Sequence, residues 1–159
     1  MKNLLTIMVA LAVSLIGCQE DVPTPYVGDY LIFGHFYGEC YGESCVVTFK
    51  LEEDRLLQDT RAQHLGQPFN FEEDYRVLER ADFERAQELL TVFPDSLLAQ
   101  PDARFGCPDC RDQGGLYIEY QQGSRRGSWA IDQDQDEVPA YLHEFMDQVN
   151  ETIRLLNGQ

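Results

Sequence analysis

The chain has few basic residues. Against 28 Asp and Glu residues it carries only 12 Lys and Arg, so its formal net charge at pH 7 is −16. A protein this acidic is repelled by the phosphates of nucleic acids and by anionic phospholipid surfaces. The composition therefore argues against a nucleic-acid partner and against membrane binding through a basic patch. Solubility of an exposed protein is the simpler interpretation of the charge.

The sequence also lacks the signature motifs of common enzymes. It contains no G-x-S-x-G nucleophile motif, no phosphate-binding P-loop and no dinucleotide fingerprint. The three histidines, His35, His64 and His143, show no H-x-x-x-H spacing, and we interpret His35 as a hydrogen-bonded histidine of a strand. The acidic residues are too scattered to indicate a catalytic pair. We predict that the protein is not an enzyme.

Three aspartates alternate late in the chain, at Asp132, Asp134 and Asp136. An EF-hand calcium loop begins in this way, but it then needs glycine at its sixth position and glutamate at its twelfth. Those positions hold Glu137 and His143. We interpret the run as an acidic approach to the last helix, whose N-terminal end favours negative charge. No cofactor is predicted here.

The first 18 residues resemble the signal peptide of a bacterial lipoprotein. Lys2 precedes an apolar stretch over residues 4–16, and residues 15–18 (Leu-Ile-Gly-Cys) match the lipobox. The stretch is too short for a membrane-spanning helix. The resemblance implies cleavage before Cys18, a diacylglycerol on its thiol and a further fatty acyl chain, such as palmitate, on its amine. Two or three such chains anchor a protein stably.

This resemblance sets the predicted domain organisation. Residues 1–17 are a removable signal peptide, residues 18–29 a lipidated tether with Pro23 and Pro25, and residues 30–159 a single domain. Cleavage leaves 142 residues and removes Lys2 but none of the 28 acidic residues, so 11 basic residues remain and the net charge becomes −17. A chain of this length has room for a hydrophobic core.

The residue after Cys18 is Gln19 and not aspartate. In the lipoproteins that this leader resembles, an aspartate at that position retains the protein at the inner membrane. The resemblance therefore predicts a cell-envelope protein at the outer membrane, on its periplasmic face or at the cell surface. Membrane contact comes from the lipid alone, and a protein partner is left open.

Apolar periodicity predicts an α+β fold. Two helices are expected at residues 82–92 and 138–156, each with one apolar face. Trp129 should lie in the core, and Arg125 and Arg126 at a hairpin tip. The predicted order is β-β-β-(β)-α-β-β-α, an antiparallel sheet built from hairpins with two helices packed on one face. The expected strands are residues 30–37, 45–51, 55–60, 75–78, 116–120 and 128–131.

Four cysteines follow Cys18, namely Cys40, Cys45, Cys107 and Cys110. An even number in an exported protein points first to disulfides. Each pair precedes a predicted strand, so all four sulfurs meet if the two strand ends adjoin, and the spacing then also suits a tetrahedral zinc site. The C-x-x-C pair is further compatible with a redox dithiol, although a strand and not a helix follows it. Structural disulfides are the first interpretation, with zinc and redox chemistry as alternatives.

Three segments, residues 34–45, 105–115 and 128–150, resemble parts of lipid-anchored proteins of Gram-negative bacteria that have no assigned activity. The resemblance implies a small exported domain with paired cysteines. Together with the leader, it predicts a lipid-anchored envelope protein that acts as a non-enzymatic binding or structural module. The alternative function is a zinc-binding or thiol-redox protein that uses the four cysteines.

Overall fold

The computed structural model describes residues 28–38, 46–60 and 74–158, and in them a seven-stranded sheet and two α-helices. The strands lie side by side in the order β4-β3-β2-β1-β6-β7-β5. Helices α1 and α2 span Arg80–Gln87 and His143–Leu156. The strands are β1 Tyr30–Phe36, β2 Val46–Leu51, β3 Leu56–Asp59, β4 Tyr75–Val77, β5 Arg104–Phe105, β6 Gly115–Gln122 and β7 Arg125–Asp132.

The predicted α+β class is confirmed, with one addition at the sheet edge. All strand pairs are antiparallel except β5 with β7, which run parallel. The sequence does not reveal β5, because two residues are too few to show an alternating pattern. Both edge strands, β4 and β5, are very short, and a short edge offers few free backbone groups to another chain.

One face of the sheet carries the hydrophobic core. Along β1, Leu31 and Phe33 point to this face, as alternate residues of a strand must, and both are fully buried. Helix α1 contacts β2 and β3, α2 contacts β1, and the buried apolar residues of both helices belong to the same cluster. Trp129 is 1% exposed there and donates its indole N–H to the carbonyl of Gln100 at 2.8 Å. Its predicted core position is confirmed.

The first helix differs from the prediction at both of its ends. It begins at Arg80 after Glu79, so Asp82 lies in its first turn and does not cap it. After Gln87 the chain tightens into a 3₁₀-helix over Glu88–Thr91. A 3₁₀-helix turns 120° per residue, so side chains three apart share a face. Leu89 therefore follows Ala86 into the core. Leu90, which would share a face with Phe83 and Ala86 in a continuous α-helix, is instead 47% exposed.

The last helix is shorter than predicted. Pro139 is extended, with φ −58° and ψ 136°, and it precedes a 3₁₀ turn over Ala140–Leu142 before α2 begins at His143. The predicted apolar stripe is otherwise correct, because Leu142, Phe145, Val149 and Ile153 are all at most 1% exposed. Tyr141, which helical spacing places on the same face as Phe145, is instead 40% exposed and meets the ring of Phe105 edge-on at 6.5 Å.

The β6–β7 hairpin closes through a two-residue turn, tighter than the predicted loop over residues 121–127. Gln122 pairs with Arg125, and Gly123 has a φ of +58°. A positive φ at the first central residue alone is the pattern of a type II′ turn, which matches strand twist and favours glycine. Arg125 and Arg126 follow this turn directly, as predicted for a hairpin tip.

Both β2 and β6 pair antiparallel with β1, so both begin where β1 ends. Phe36 pairs with Val46 on one side and with Gly115 on the other. The strand starts that follow the two cysteine pairs thus lie at one end of the sheet, with β1 between them. We call this end the cysteine end. The opposite end, where β1 starts at Tyr30 and β2 stops at Leu51, is called the tether end.

Candidate functional site

The face of the sheet opposite the core carries a buried carboxylate, Glu119 of β6, which is 5% exposed. Tyr30 donates its hydroxyl to Oε1 at 2.6 Å, and Tyr117 donates to Oε2 at 2.8 Å. The guanidinium of Arg126 lies 3.3 Å from Oε1. A buried charge is tolerated only when such partners replace water. This cluster, which we call the Glu119 network, therefore ties β1, β6 and β7 together.

The two phenols in the Glu119 network remain neutral donors. Burial, followed by the hydrogen bond to Glu119 and its charge, raises the pKa of Tyr30 above its ordinary value. Burial and then the charge and hydrogen bond of Glu119 raise the pKa of Tyr117 in the same way. Both effects act against a second negative charge beside the carboxylate. The arrangement favours fixed hydrogen bonding over proton transfer.

Lys50 of β2 connects this network to the tether end. Its ammonium lies 5.1 Å from the ring centroid of Tyr30 and 5.7 Å from that of Tyr75. Both distances are within the range of cation–π attraction. The same ammonium is 3.0 Å from the carboxylate of Glu52, which Arg55 also contacts at 2.7 Å. Glu119 thus orients Tyr30, and the ring of Tyr30 in turn borders the charge of Lys50.

A cavity of about 830 Å³ opens at the tether end. The start of β1, the end of β2, the turn after it, the end of β6 and the end of α1 all contribute to its walls. Tyr30, Tyr120, Leu51 and Leu90 supply aromatic and apolar lining. The remaining lining residues are Gly28, Asp29, Leu31, Lys50, Glu52, Glu53, Asp54, Arg55, Gln87, Gln121 and Gln122. We call this the sheet-end cavity.

The charge of the sheet-end cavity is negative. Four acidic and two basic residues line it, and both cations, Lys50 and Arg55, are paired with Glu52. Burial alone would raise the pKa of Glu52, but the hydrogen bonds from Arg55 and Lys50 hold it below its ordinary value. Glu53 and Asp54 are exposed in the turn between β2 and β3. A ligand with a cationic group meets favourable charge there.

At the cysteine end, Cys107 and Cys110 form a disulfide with a Cα–Cα distance of 5.5 Å. A disulfide is the first interpretation of the cysteines, and these two residues form one, although the sequence leaves the pairing open. In the disulfide neither sulfur is a thiolate, so zinc ligation by these two residues would require reduction first. Within the described residues no group of three His, Cys, Asp or Glu side chains is arranged to hold a metal ion.

Two carboxylates hold the loop that carries the disulfide. Asp132 is 2% exposed and accepts from the N–H of Cys107 at 2.8 Å and from the amide of Gln113 at 3.0 Å. Burial alone would raise the pKa of Asp132, but these bonds and the N–H of Asp134 hold it below its ordinary value. Asp109 accepts from Gly38 at 2.6 Å and from Gly114 at 2.9 Å.

Several other residues that the sequence singled out have structural roles. Asp134 caps the short turn Gln135–Glu137 by accepting from the N–H of Asp136. His143 begins α2, with Nε2 3.3 Å from the carbonyl of Val138. His35 bonds Asn150 of α2 at 2.7 Å, as expected of a hydrogen-bonded strand histidine. Cys18, Cys40, Cys45 and His64 lie outside the described residues.

The sequence reasoning missed the residues of the sheet-end cavity. The sequence did contain one indication of this site. Lys50 is the only lysine after Lys2, and all other basic residues of the chain are arginines. Lysine carries a compact charge on a flexible stem, unlike the planar guanidinium of arginine, so the two are not interchangeable. The role of Glu119 had no comparable signal, since a glutamate alternating with tyrosines in a strand reads as solvent-facing.

No protein-family model matches this chain, and no curated protein matches it significantly. The resemblance of its segments to lipid-anchored proteins therefore stays a prediction. Within the described residues, no helix combines the length and apolarity that crossing a bilayer requires.

Proposed function

We propose that the protein is a lipid-anchored cell-envelope module that binds a partner through the sheet-end cavity, without catalysis. The observation that carries this proposal is the cavity itself, with a volume of about 830 Å³ and a lining that is part aromatic, part apolar and part carboxylate. Ligand sites commonly measure about 300–1,000 Å³ and combine apolar walls with a few polar groups. No histidine, serine or cysteine is among its described lining residues.

The chemistry of the lining favours a cationic group on an apolar stem. The exposed carboxylates of Glu53 and Asp54 attract the charge, and Leu90, which is 47% exposed, offers a surface for methylene groups. Lysine and arginine side chains have this two-part character. A lysine- or arginine-bearing segment of an envelope protein is therefore the partner that fits. The net charge of −17 that remains after cleavage before Cys18 steers such a segment toward the domain.

The proposed anchor places this cavity near the membrane. Cys18 carries the lipid in this proposal, and Gly28, at the cavity, is ten residues further along the chain. Ten residues span at most about 35 Å when fully extended. The partner would then be bound within that distance of the lipid surface. Gln19 supports the outer membrane as that surface.

A titration with basic peptide tests the binding site. Tetralysine is added to the ¹⁵N-labelled protein at low salt, and amide shifts are expected at residues 50–55 and 120–122, while tetraglutamate causes none. The double variant Glu53→Gln, Asp54→Asn should weaken binding about tenfold. The control Glu79→Gln, Glu144→Gln removes the same charge from exposed positions on and beside the helices and should retain binding.

The outcome separates a site from diffuse attraction. Shifts spread over the whole acidic surface, or equal weakening by the control variant, would show that the cavity has no specific role. Tetralysine without any effect at these residues would overturn the proposal.

A further inference from the structure

The disulfide between Cys107 and Cys110 lies at the protein surface. Both cysteines are exposed, whereas Pro108 between them is buried and Asp109 is half-buried. A thiolate that opens a disulfide must reach one of its sulfur atoms, so access limits the reaction. A disulfide stabilises a fold more when it closes a longer loop of chain. This one joins residues three apart, within one turn.

Such a short connection lowers the entropy of the unfolded chain only slightly and therefore stabilises the fold little. The stabilisation from closing a loop grows with the number of residues enclosed, and four residues lie at the low end. The turn also has its own backbone hydrogen bond, from the N–H of Cys110 to the carbonyl of Cys107 at 3.1 Å. This hydrogen bond therefore holds the turn from Cys107 to Cys110 without the disulfide.

The flanking loop is fixed by contacts that involve no sulfur. The buried carboxylate of Asp132 holds the Cys107 N–H and the Gln113 amide, and the same amide also donates to the carbonyl of Cys107 at 3.1 Å. Asp109 joins the loop to the end of β1 through Gly38. These bonds survive reduction because none of their donors or acceptors changes. The loop can thus keep its shape with the two sulfurs either joined or separate.

We propose that Cys107 and Cys110 form a reversible redox pair that undergoes thiol–disulfide exchange with a thiol partner, such as the dithiol of another exported protein. A partner thiolate attacks one sulfur, forms a mixed disulfide, and the other sulfur leaves as a thiolate that takes up a proton. The second partner thiol then releases the partner as its own disulfide. Two electrons and two protons pass from the dithiol to the cysteine pair.

This activity is separate from the proposed binding function. The disulfide lies at the cysteine end and the cavity at the tether end, and the seven residues of β1 place them about 20 Å apart. Peptide binding is therefore expected to be equal in the oxidised and reduced protein. Failure of peptide binding would remove the proposed function and leave the redox proposal standing.

Equilibration in glutathione buffers tests the proposal on the full-length protein. Samples held at increasing ratios of reduced to oxidised glutathione are quenched with an alkylating reagent, and peptide mapping separates Cys107 and Cys110 from Cys40 and Cys45. The pair is expected to go from fully oxidised to fully reduced and back while the circular dichroism spectrum stays native. A disulfide that resists excess reduced glutathione until the protein is denatured would overturn the proposal.

The double variant Cys107→Ser, Cys110→Ser provides the second measurement. It is expected to fold, to melt within a few degrees of the wild type and to lose the redox response at these positions. A variant that does not fold, or a wild type that unfolds when this pair is reduced, would show that the bond is structural. Asp132→Asn weakens the loop contacts. Added to Cys107→Ser, Cys110→Ser, it should lower the melting temperature by more than the sum of the two separate effects.

Discussion

Glu119 and His35 are polar residues placed within a largely apolar sheet, and each depends on partners from distant parts of the chain. Glu119 accepts a hydrogen bond from Tyr30, 89 residues away, and the imidazole of His35 donates one to the amide oxygen of Asn150, 115 residues away. Asn150 is itself oriented by the side chain of Gln133 at 3.2 Å. Buried polar groups cost free energy unless they are hydrogen-bonded. These two residues therefore report directly on the tertiary structure.

Replacing Tyr117 by phenylalanine should lower the free energy of unfolding by about 1–3 kcal/mol, because it removes a donor from a buried carboxylate. The measurement is urea denaturation at pH 7. The control Tyr141→Phe alters a tyrosine that is 40% exposed and should change stability by about 0.5 kcal/mol or less. Equal effects of the two changes would contradict a structural role for the Glu119 network.

The same network predicts a loss of stability in alkali. The folded-state pKa of Tyr30 and Tyr117 is raised above the ordinary value of 10.0, so above that pH the unfolded chain loses protons that the folded protein keeps. The contribution of these two tyrosines to stability is thus fully present below about pH 10 and is lost as pH rises further. Spectrophotometric titration should show two of the eight tyrosines ionising last, and only on unfolding.

His35 predicts a loss of stability in mild acid. Burial lowers its pKa from the ordinary value of 6.5, and the hydrogen bond with Asn150 opposes this only in part. Below pH 6.5 the unfolded chain therefore binds a proton that the folded protein does not bind as readily. The contribution of His35 to the stability of the folded protein is present above pH 6.5 and is lost as pH falls. Denaturation curves between pH 8 and pH 4 for His35→Gln should fall less steeply than those of the wild type.

The matched change for that experiment is His143→Gln, at the half-buried first residue of α2. It should retain the acid-side decline of the wild type, and a decline lost in both variants or in neither would assign the effect elsewhere. The imidazole proton signals of the histidines, followed by NMR over the same pH range, identify which ring titrates.

At the scale of the elements, local tightening decides which side chains are buried. The sequence from Phe83 to Phe93 has helical spacing, yet the chain is α-helical only to Gln87. The change to 3₁₀ geometry rotates Leu89 inward and Leu90 toward the cavity. Phe93 then stacks on Tyr120 at 4.4 Å and meets Phe145 edge-on at 5.5 Å. A pattern with a fixed period cannot show where the period itself changes.

Two neighbouring leucines test this geometry. Leu89 is fully buried, so Leu89→Ala should lower the free energy of unfolding by about 2–5 kcal/mol. Leu90 is 47% exposed, so Leu90→Ala should cost about 1 kcal/mol or less. Thermal denaturation of the two variants measures both values. A continuous α-helix through residue 92 would reverse their order.

At the scale of the whole molecule, the sheet has two chemically different ends. The tether end has the cavity, an acidic rim and Gly28, whereas the cysteine end has the disulfide and its aspartate-held loop. The order of the central strands produces this separation, because β2 and β6 both run antiparallel to β1. If residue 18 is the lipid anchor, the cavity lies on the membrane side. The redox pair would then lie further from the membrane.

The anchor is tested by changing its cysteine. Cys18→Ala should leave the precursor uncleaved by lipoprotein signal peptidase and without lipid, because the acyl chains need that thiol and the new N-terminal amine. Metabolic labelling with a radioactive fatty acid measures the result. Equal labelling of the variant and the wild type would refute lipidation at this residue.

Wild-type protein should further sediment with the outer membrane in a sucrose gradient, since Gln19 is not an aspartate. Recovery with the inner membrane would contradict that location. Protease treatment of intact cells then distinguishes the periplasmic face from the cell surface.

The sequence by itself determined the class of the fold, the order of its main elements, the buried Trp129 and the amphipathic face of α2. These follow from periodicity and composition, which act over a few residues and survive in the linear pattern. Only the tertiary structure decided the parallel strand β5, the burial of Leu89, the partners of Glu119 and the walls of the sheet-end cavity. The burial of Leu89 depends on where the α-helix changes to 3₁₀ geometry, which a pattern of fixed period does not show. The other three depend on residues far apart in the chain, whose proximity is set by packing and register and leaves no local signature.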